Sequence, residues 1–269
     1  MPFFNSLNPR LKTQTESEMK RLLPLILLSP LFIGFAPRDT ANTTVEFWGG
    51  AGRYYQPGGC ERTGRDVKFF EGAISLEHRP MEEKKALDDS GRVVHKKVPT
   101  PFSVRFDGSM LQGTTTEVFY TDGINEYRLP ATGSITVTQV GLKLQGDWQS
   151  FGLGLGGLVL NDDEEAGLAP SARVRVGRLD QLYLTGELLY ANPLYSGHGL
   201  LSAGLGFRAG DLDAWIGAGW GPYADDYRPY ITVKQHFNNM MVGLNASYAT
   251  RTNHGITPYA VSIGVGFDF

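Results

Sequence analysis

Apolar and polar residues alternate along most of the chain, and the last thirteen residues, 257–269, show the alternation most clearly. There every second residue from Tyr259 to Phe269 is apolar or aromatic, and small or polar residues fill the positions between. Successive side chains of a β-strand point to opposite faces, so this pattern predicts a strand with one apolar and one polar face. Earlier blocks repeat the pattern, which predicts an all-β protein.

The repeated blocks predict about twelve antiparallel strands of roughly ten residues each. They are expected at residues 44–55, 67–77, 102–110, 133–145, 151–159, 172–176, 182–190, 201–209, 212–220, 227–237, 240–250 and 257–269. Ten strands, with the first two segments packed differently, is the alternative topology.

The connections between these strands sort by length into two groups. Tight turns are expected at residues 145–147, 178–181, 209–211 and 237–240. Longer polar loops are expected between them, at residues 161–170, 191–199, 221–228 and 251–257. Regular alternation of short and long connections indicates that the strands run up and down, with all short turns at one end.

Composition narrows the class of protein. The chain has 269 residues, 41% of them hydrophobic, a formal net charge of −3 and a mean hydropathy of −0.21. Beyond residue 36 no apolar run approaches the ~20 residues that a membrane-spanning helix needs. The near-neutral charge gives no support for nucleic-acid binding, and no motif predicts a cofactor. Cys60 is the single cysteine, so no internal disulfide can form.

The beginning of the chain has the pattern of an export sequence. Residues 1–18 are polar and unpatterned, so we expect translation to begin at the methionine that follows them. Residues 19–36 then combine a basic segment, an apolar run of about fifteen residues, and Gly34 and Ala36 at the positions that precede a cleavage site. We therefore expect a cleaved signal peptide at 19–36 and a mature chain of 37–269.

The closing segment, TPYAVSIGVGFDF, resembles the terminal strand of Gram-negative outer-membrane β-barrels. The resemblance implies an antiparallel up-and-down transmembrane β-barrel in the cell outer membrane, with its apolar face toward lipid and its polar face toward a lumen. It also implies that Tyr259, Phe267 and Phe269 form an assembly signal for the barrel-assembly machinery. Membrane lipid and lipopolysaccharide are the further partners that it implies.

Aromatic residues agree with this interpretation, because they fall at the two ends of the predicted strands. Those expected at outer ends are Tyr55, Tyr190, Trp220, Tyr227, Tyr248 and Tyr259, and those at inner ends are Phe151, Phe207, Phe237 and Phe269.

Two regions depart from the simple alternation of short turns and long loops. Residues 79–100 predict a flexible, charged periplasmic insertion, and residues 111–132 predict an extracellular loop that contains a small hairpin.

Charged residues on the polar faces are the candidate functional residues. The residues expected to line the lumen are Glu46, Glu71, Glu77, Lys143, Arg173, Arg175, Glu187, Arg208, Asp213, Lys234, His236 and Asp268. Buried charges either pair with one another or contact water. The first possibility predicts a plugged structural or surface-interaction barrel. The second predicts a narrow, porin-like channel for small polar solutes, which the glycines of residues 152–156 favour by leaving space.

Two other kinds of site find only weak support. Ser196 and His198 could form a hydrolase site, but they lie in a glycine-rich segment without an acidic partner at fixed spacing. Acidic runs at 162–165 and 225–226 could bind Ca²⁺ or Mg²⁺, although they lack the spacing of a known ligand loop. We therefore expect no enzymatic activity, no metal and no cofactor.

Overall fold

Twelve antiparallel strands form a closed barrel in the computed structural model of the protein, and two further strands pair only with each other. The structure describes residues 42–57, 63–87, 90–121, 125–161, 166–179, 181–189, 200–221, 226–250 and 256–269. The strands are β1 (Thr43–Pro57), β2 (Thr63–His78), β3 (Met81–Leu87), β4 (Val93–Pro99), β5 (Phe102–Thr121), β6 (Glu126–Asp147), β7 (Phe151–Asn161), β8 (Ala166–Gly177), β9 (Leu182–Leu189), β10 (Leu200–Ala209), β11 (Leu212–Gly221), β12 (Asp226–Phe237), β13 (Met240–Tyr248) and β14 (Tyr259–Asp268).

Pairing between the first and last strands closes the barrel. The register of β1 against β14 runs from Thr44 opposite Asp268 to Arg53 opposite Tyr259. All remaining pairs in the wall join strands that follow one another along the chain, except that β2 pairs with β5 because β3 and β4 lie outside the wall. The prediction of twelve strands is therefore confirmed. The ten-strand alternative is wrong, because β1 and β2 belong to the wall.

The outer surface of the wall is apolar, and its inner surface is polar. On β13, Val242, Leu244 and Tyr248 are exposed on the outside, whereas Asn245 and Ser247 are buried on the inside. This distribution is the reverse of that in a soluble barrel and follows directly from the two-residue alternation of the sequence. Within the described ranges, no helix is long and apolar enough to span a membrane.

Exposed aromatic side chains are found near both ends of the barrel. At one end Trp220 lies opposite Tyr227, and Tyr248 lies opposite Tyr259. At the other end the exposed aromatic residues are Phe102, Trp148, Phe151, Phe207 and Phe237. Tyr190 lies outside the described residues. The two aromatic bands predicted from the sequence are thus present where the structure describes them.

The short turns all lie at the end of the barrel where the chain finishes. Gly210 has φ +60° between β10 and β11, and Asn238 has φ 56° between β12 and β13. Both turns need the left-handed conformation that glycine and asparagine tolerate best. The turn predicted at 145–147 is displaced, because β6 continues through Asp147 and the chain reverses at residues 148–150.

Several strands at the opposite end are longer than the sequence predicted. β5 and β6 continue through most of the segment expected as a loop at 111–132, and they stay paired as far as Thr121 opposite Glu126. β8 begins at Ala166 and β12 at Asp226, inside two other segments expected as loops. The small predicted hairpin is therefore part of a continuous extension of β5 and β6, which β2 joins by pairing with β5 and β1 joins by pairing with β2.

The charged insertion between β2 and β5 contains the separate hairpin of β3 and β4. Its register runs from Met81 opposite Pro99 to Leu87 opposite Val93. The sequence predicted a flexible segment here, because charged residues occupy both of its faces and no alternation is visible. The segment instead forms paired strands, in which Glu83 lies opposite Lys97 and Lys84 lies opposite Lys96.

A compact group of side chains joins the extended ends of β1, β2 and β5. The pairing of β1 with β14 stops at Arg53, so Asp66, which lies opposite Tyr55, is beyond the closed wall. Nε and Nη2 of Arg53 donate hydrogen bonds to the two carboxylate oxygens of Asp66, each over 2.8 Å. Thr116, the extra residue of a β-bulge in β5, donates a third over 2.7 Å.

Replacing Asp66 with asparagine should destabilise this extension in a pH-dependent manner. Burial opposes ionisation, but the hydrogen bonds from Arg53 and Thr116 outweigh it and hold the pKa of Asp66 below its ordinary value. A depressed native-state pKa stabilises the fold above the unfolded-state pKa, about 3.9, and this stabilisation is lost as the pH falls through the native value. At pH 7 we expect a loss of about 1 kcal/mol.

Hydrogen exchange of the β1, β2 and β5 amides in the natural protein and in Asp66→Asn, followed from neutral to acidic pH, measures this difference. Arg53→Gln should cost at least as much at neutral pH, because it leaves the buried Asp66 carboxylate without its counter-charge. A difference between Asp66→Asn and the natural protein that stayed constant down to acidic pH would contradict the assigned role of the carboxylate.

Candidate functional site

The barrel encloses a cavity of about 280 Å³ that is lined mainly by polar side chains. Six of the twelve charged residues predicted for the lumen line it, namely Glu46, Glu71, Lys143, Arg173, Glu187 and Lys234. Each is on the inward face of its strand, at the alternate positions to the exposed apolar residues. Between them lie small residues such as Ala73 and Gly141, which leave the space open.

A row of inward residues across four strands forms one side of the cavity. Trp48 of β1 lies opposite Gly264, which lies opposite Gly243, which in turn lies opposite Lys234 of β12. A Cβ atom at Gly264 or Gly243 would approach the indole ring of Trp48 to 2.5 or 2.6 Å. The ring therefore occupies the space that these two glycines leave, and Lys234 reaches across them toward β1.

Lys234 and Glu46 form the shortest ion pair of the described cavity wall. Nζ of Lys234 donates to Oε1 of Glu46 over 2.6 Å, and Nε1 of Trp48 donates to Oε2 over 3.1 Å. The same ammonium group lies 5.5 Å from the ring centroid of Trp48 and 5.6 Å from that of Trp215. Both carboxylate oxygens of Glu46 are thus bonded, and the lysine is held between two aromatic faces.

Basic residues from three strands form the opposite side of the cavity. Nε of Arg105 donates to Asp107 over 2.8 Å, and Nζ of Lys143 lies 3.8 Å from the same carboxylate. Nε of Arg173 lies 3.2 Å from Oε1 of Glu187. Strand β7 separates Lys143 from Arg173 and carries glycines at its inward positions, so the basic groups share a recess in the wall.

Glu71 of β2 differs from the other acidic residues of the cavity. Its side chain is 6% exposed, and neither carboxylate oxygen has a hydrogen-bond partner among the described residues. Its neighbours on the inward face are apolar, with Phe69 two residues before it and Leu111 opposite. They belong to a buried cluster at this side of the lumen, made of Tyr54, Val67, Phe69, Leu111, Ile135 and Ala260.

The other six predicted residues lie nearer the end with the short turns and do not line this cavity. Arg208 and His236 both contact Asp213, with Nε2 of His236 3.2 Å from Oδ2. Asp268 accepts a hydrogen bond from Thr44 over 2.6 Å, and Glu77 pairs with Arg79 over 3.1 Å. The Asp213 contacts join β10, β11 and β12, and the Thr44–Asp268 hydrogen bond joins β1 and β14.

Arg175, the remaining member of this group, is almost fully buried and supports the turns. Its guanidinium group contacts Asp147 over 3.2 Å and donates to the carbonyl oxygens of Trp148, Phe151 and Gly177. These carbonyl groups belong to two successive turns, β6 to β7 and β8 to β9. The arginine therefore joins the turns, a role that its position on a polar face did not indicate.

Sequence reasoning missed several residues of the cavity wall. Arg105 and Asp107 occupy inward positions of β5, and the alternation of Phe102, Val104 and Phe106 would have placed them there. The aromatic residues Trp48, Trp215 and Tyr230 also line the cavity. The alternation of β11 and β12 places Trp215 and Tyr230 on the polar face, but they were not counted as site residues because large aromatic side chains on a barrel usually face lipid.

The predicted assembly residues lie along β14. Tyr259 is exposed in the aromatic band, and Phe267 lies opposite Val45 and Met240. The backbone of Phe269 exchanges hydrogen bonds with Thr43, which completes the closure of the wall. Recognition of these residues by the assembly machinery stays a prediction.

The candidates for catalysis and metal binding lie largely outside the part of the chain that the structure describes. Ser196 and His198 are in the segment 190–199, and the acidic run 162–165 is likewise outside it, as is Asp225. In the described ranges, no three histidine, cysteine, aspartate or glutamate side chains are grouped as metal ligands. The hydrolase site and the metal site therefore stay weakly supported predictions.

The architecture combines a closed up-and-down wall, an apolar exterior with aromatic bands, and a polar interior. The fold is that of an outer-membrane β-barrel. No protein-family model matches the chain, and no curated protein matches it. Among solved structures it is similar to the KdgM porin, with 9% identity, 84% of this chain and 99% of that chain covered, and a TM-score of 0.49.

Two other solved structures are similar to this chain at comparably low identity and TM-score. The translocator domain of autotransporter NalP from Neisseria meningitidis is 13% identical, covers 96% of this chain and 98% of that chain, and has a TM-score of 0.38. Outer membrane phospholipase A from Escherichia coli is 10% identical, with 88% and 93% covered and a TM-score of 0.39. These scores are too low to match residues one to one, so the assignment rests on the chain's own strand order.

Proposed function

We propose that this chain is an integral outer-membrane barrel whose lumen is a narrow channel for small polar solutes. The observation that carries the proposal is the cavity of about 280 Å³, which is enclosed by the wall and lined by charged residues of both signs. Polar solutes cross a membrane where such groups replace their hydration shell.

Membrane insertion is supported by the outer surface. The exposed residues of the wall are dominated by leucine, isoleucine, valine and phenylalanine, with the aromatic bands at either end. Such a surface is costly in water and favourable in lipid. Lipopolysaccharide and the barrel-assembly machinery belong to the same proposal as partners, the latter through Tyr259, Phe267 and Phe269.

A structural or surface-interaction barrel is the second candidate. The apolar cluster around Phe69 and Leu111 fills one side of the lumen, and β5 and β6 extend beyond the wall as a surface for contacts. The channel is better supported because the ion pairs of the cavity lie along its wall and small residues keep the space between them. We assign no catalytic role to the chain.

Filling the cavity should close the proposed channel. Ala73 lines the cavity, whereas its neighbour Gly72 is exposed on the outside, where an added Cβ would meet no atom within 4 Å. We expect Ala73→Trp to reduce the permeability of reconstituted liposomes to small neutral sugars by more than about half, because the indole ring occupies the enclosed space. Gly72→Trp, which puts the same ring in lipid, should leave it unchanged.

Liposome swelling in isosmotic sugar solutions measures this permeability. Heat-modifiable gel mobility, which differs between folded and unfolded barrels, establishes that both variants have assembled. Equal swelling rates for assembled Ala73→Trp and Gly72→Trp would mean that solutes do not pass through this cavity.

A further inference from the structure

The Glu71 carboxylate has a position that the proposed channel alone does not explain. Glu71 faces the cavity and is 6% exposed. No described residue donates a hydrogen bond to either of its carboxylate oxygens. A buried carboxylate without a partner is costly, because it loses its contacts with water and gains none from the protein. A ligand that donates to the carboxylate is one explanation for such a group, as an ordered water or an ion is.

The other acidic residues of the described cavity wall already have cationic partners. Glu46 is bonded by Lys234, Asp107 by Arg105, and Glu187 is paired with Arg173. Oε1 of Gln139, which also faces the cavity, has no hydrogen-bond partner among the described residues. Glu71 and Gln139 therefore present buried acceptor oxygens to the cavity without a described donor, and a ligand that carries hydrogen-bond donors would complement them.

Apolar residues lie on one side of Glu71, and the open cavity lies on the other. On β1 its cross-strand neighbour is Gly50, which has no side chain, and on β5 it is Leu111. Phe69 precedes it on the same face and belongs to the apolar cluster, whereas Ala73 follows it toward the open cavity. The carboxylate is thus at the boundary between an apolar surface and polar space.

We propose that Glu71 binds the ammonium group of a small organic monocation, whose apolar part lies in the cavity beside Ala73. Ca²⁺ requires six to eight oxygen ligands, and Glu71 offers one carboxylate beside apolar neighbours. A primary ammonium group has three donors and needs only one counter-charge. The proposal names the solute class for the channel and so rests on the function proposed above.

Equilibrium dialysis of the detergent-solubilised, full-length barrel against radiolabelled n-butylammonium chloride tests the site without requiring conduction. We expect saturable binding that n-butanol and sodium butyrate at equal concentration do not displace. Glu71→Gln should weaken this binding at least about tenfold, because it removes a charge-assisted hydrogen bond.

Glu77→Gln is the matched control, because it removes one negative charge from the same strand at a residue that pairs with Arg79 and does not line the cavity. We expect its affinity for n-butylammonium to stay within about threefold of that of the natural protein. Absence of saturable binding by the natural protein, or equal affinities of Glu71→Gln and the natural protein, would overturn the site. Either result would leave the channel standing if sugars still cross the membrane, whereas binding without permeation would refute the channel alone.

Discussion

Replacing Leu244 with arginine is expected to destabilise the barrel in phospholipid bilayers by about 2–4 kcal/mol. Leu244 lies near the middle of β13 and faces outward, with 48% of its surface exposed. In the proposed orientation its side chain contacts the hydrocarbon core, where a guanidinium group loses its hydration. In a soluble barrel the same substitution would place the charge in water, at almost no cost.

Tyr248→Arg is the matched control on the same strand and the same face. Tyr248 is 56% exposed and lies in the aromatic band, at the level of the membrane interface. The expected cost there is only about 0–1 kcal/mol, since the charge reaches the headgroups. Urea unfolding of both variants in liposomes measures the two free energies. Equal costs at Leu244 and Tyr248 would contradict a membrane-spanning wall.

Replacing Lys234 with methionine should destabilise the barrel by about 3–5 kcal/mol, because it leaves Glu46 buried without its counter-charge. The side chains of Lys234 and Glu46 are 16% and 13% exposed, so water compensates the lost pair only in part. Methionine keeps much of the apolar stem that packs between Trp48 and Trp215. The loss of stability in Lys234→Met therefore measures the contribution of the charge and its hydrogen bond rather than that of packing.

A double variant separates these two contributions. Adding Glu46→Gln to Lys234→Met removes the orphaned charge, so most of the lost stability should return, and a double-mutant cycle gives the coupling energy. Lys84→Met, which breaks an exposed pair with Glu82 on the hairpin of β3 and β4, should cost no more than about 1 kcal/mol. If Lys234→Met lowers the free energy of unfolding no more than Lys84→Met does, the ion pair of the cavity wall is as well hydrated as an ion pair on the surface.

Much of the fold could be predicted because lipid and lumen impose opposite demands on adjacent residues. On β14, Val261 and Ile263 face outward while Ser262 and Gly264 face inward, so the sequence itself reveals the strand. Closure of the barrel was also predictable, since the first strand was expected to begin at the end of the barrel where the last strand finishes at Phe269. These features depend only on the two-residue period of a strand.

Strands that leave the membrane were not predictable in the same way. Beyond Thr114, β5 continues as Thr115-Thr116-Glu117, past the row at which β1 pairs with β14, so no apolar outer face is needed there. The hairpin of β3 and β4 is charged on both faces for a related reason. Polar strands of this kind resemble loops until cross-strand pairing is known.

The members of the cavity were predictable, but their pairing was not. Glu46 and Lys234 are 188 residues apart in sequence and meet because Lys234 reaches toward β1 across Gly243 and Gly264, which carry no side chain to block it. Glu71 carried the same sequence pattern as Glu46, yet its cross-strand neighbours are Gly50 and Leu111. Register and neighbour size decide which charge is paired, and neither is visible along a single strand.

Single-channel recording from purified protein in planar lipid bilayers tests the proposed channel most directly. We expect discrete current steps from the natural protein, strongly reduced steps from Ala73→Trp, and unchanged steps from Gly72→Trp. Fully assembled natural protein that gives no current above the background of the bilayer would contradict an open lumen and favour the plugged barrel.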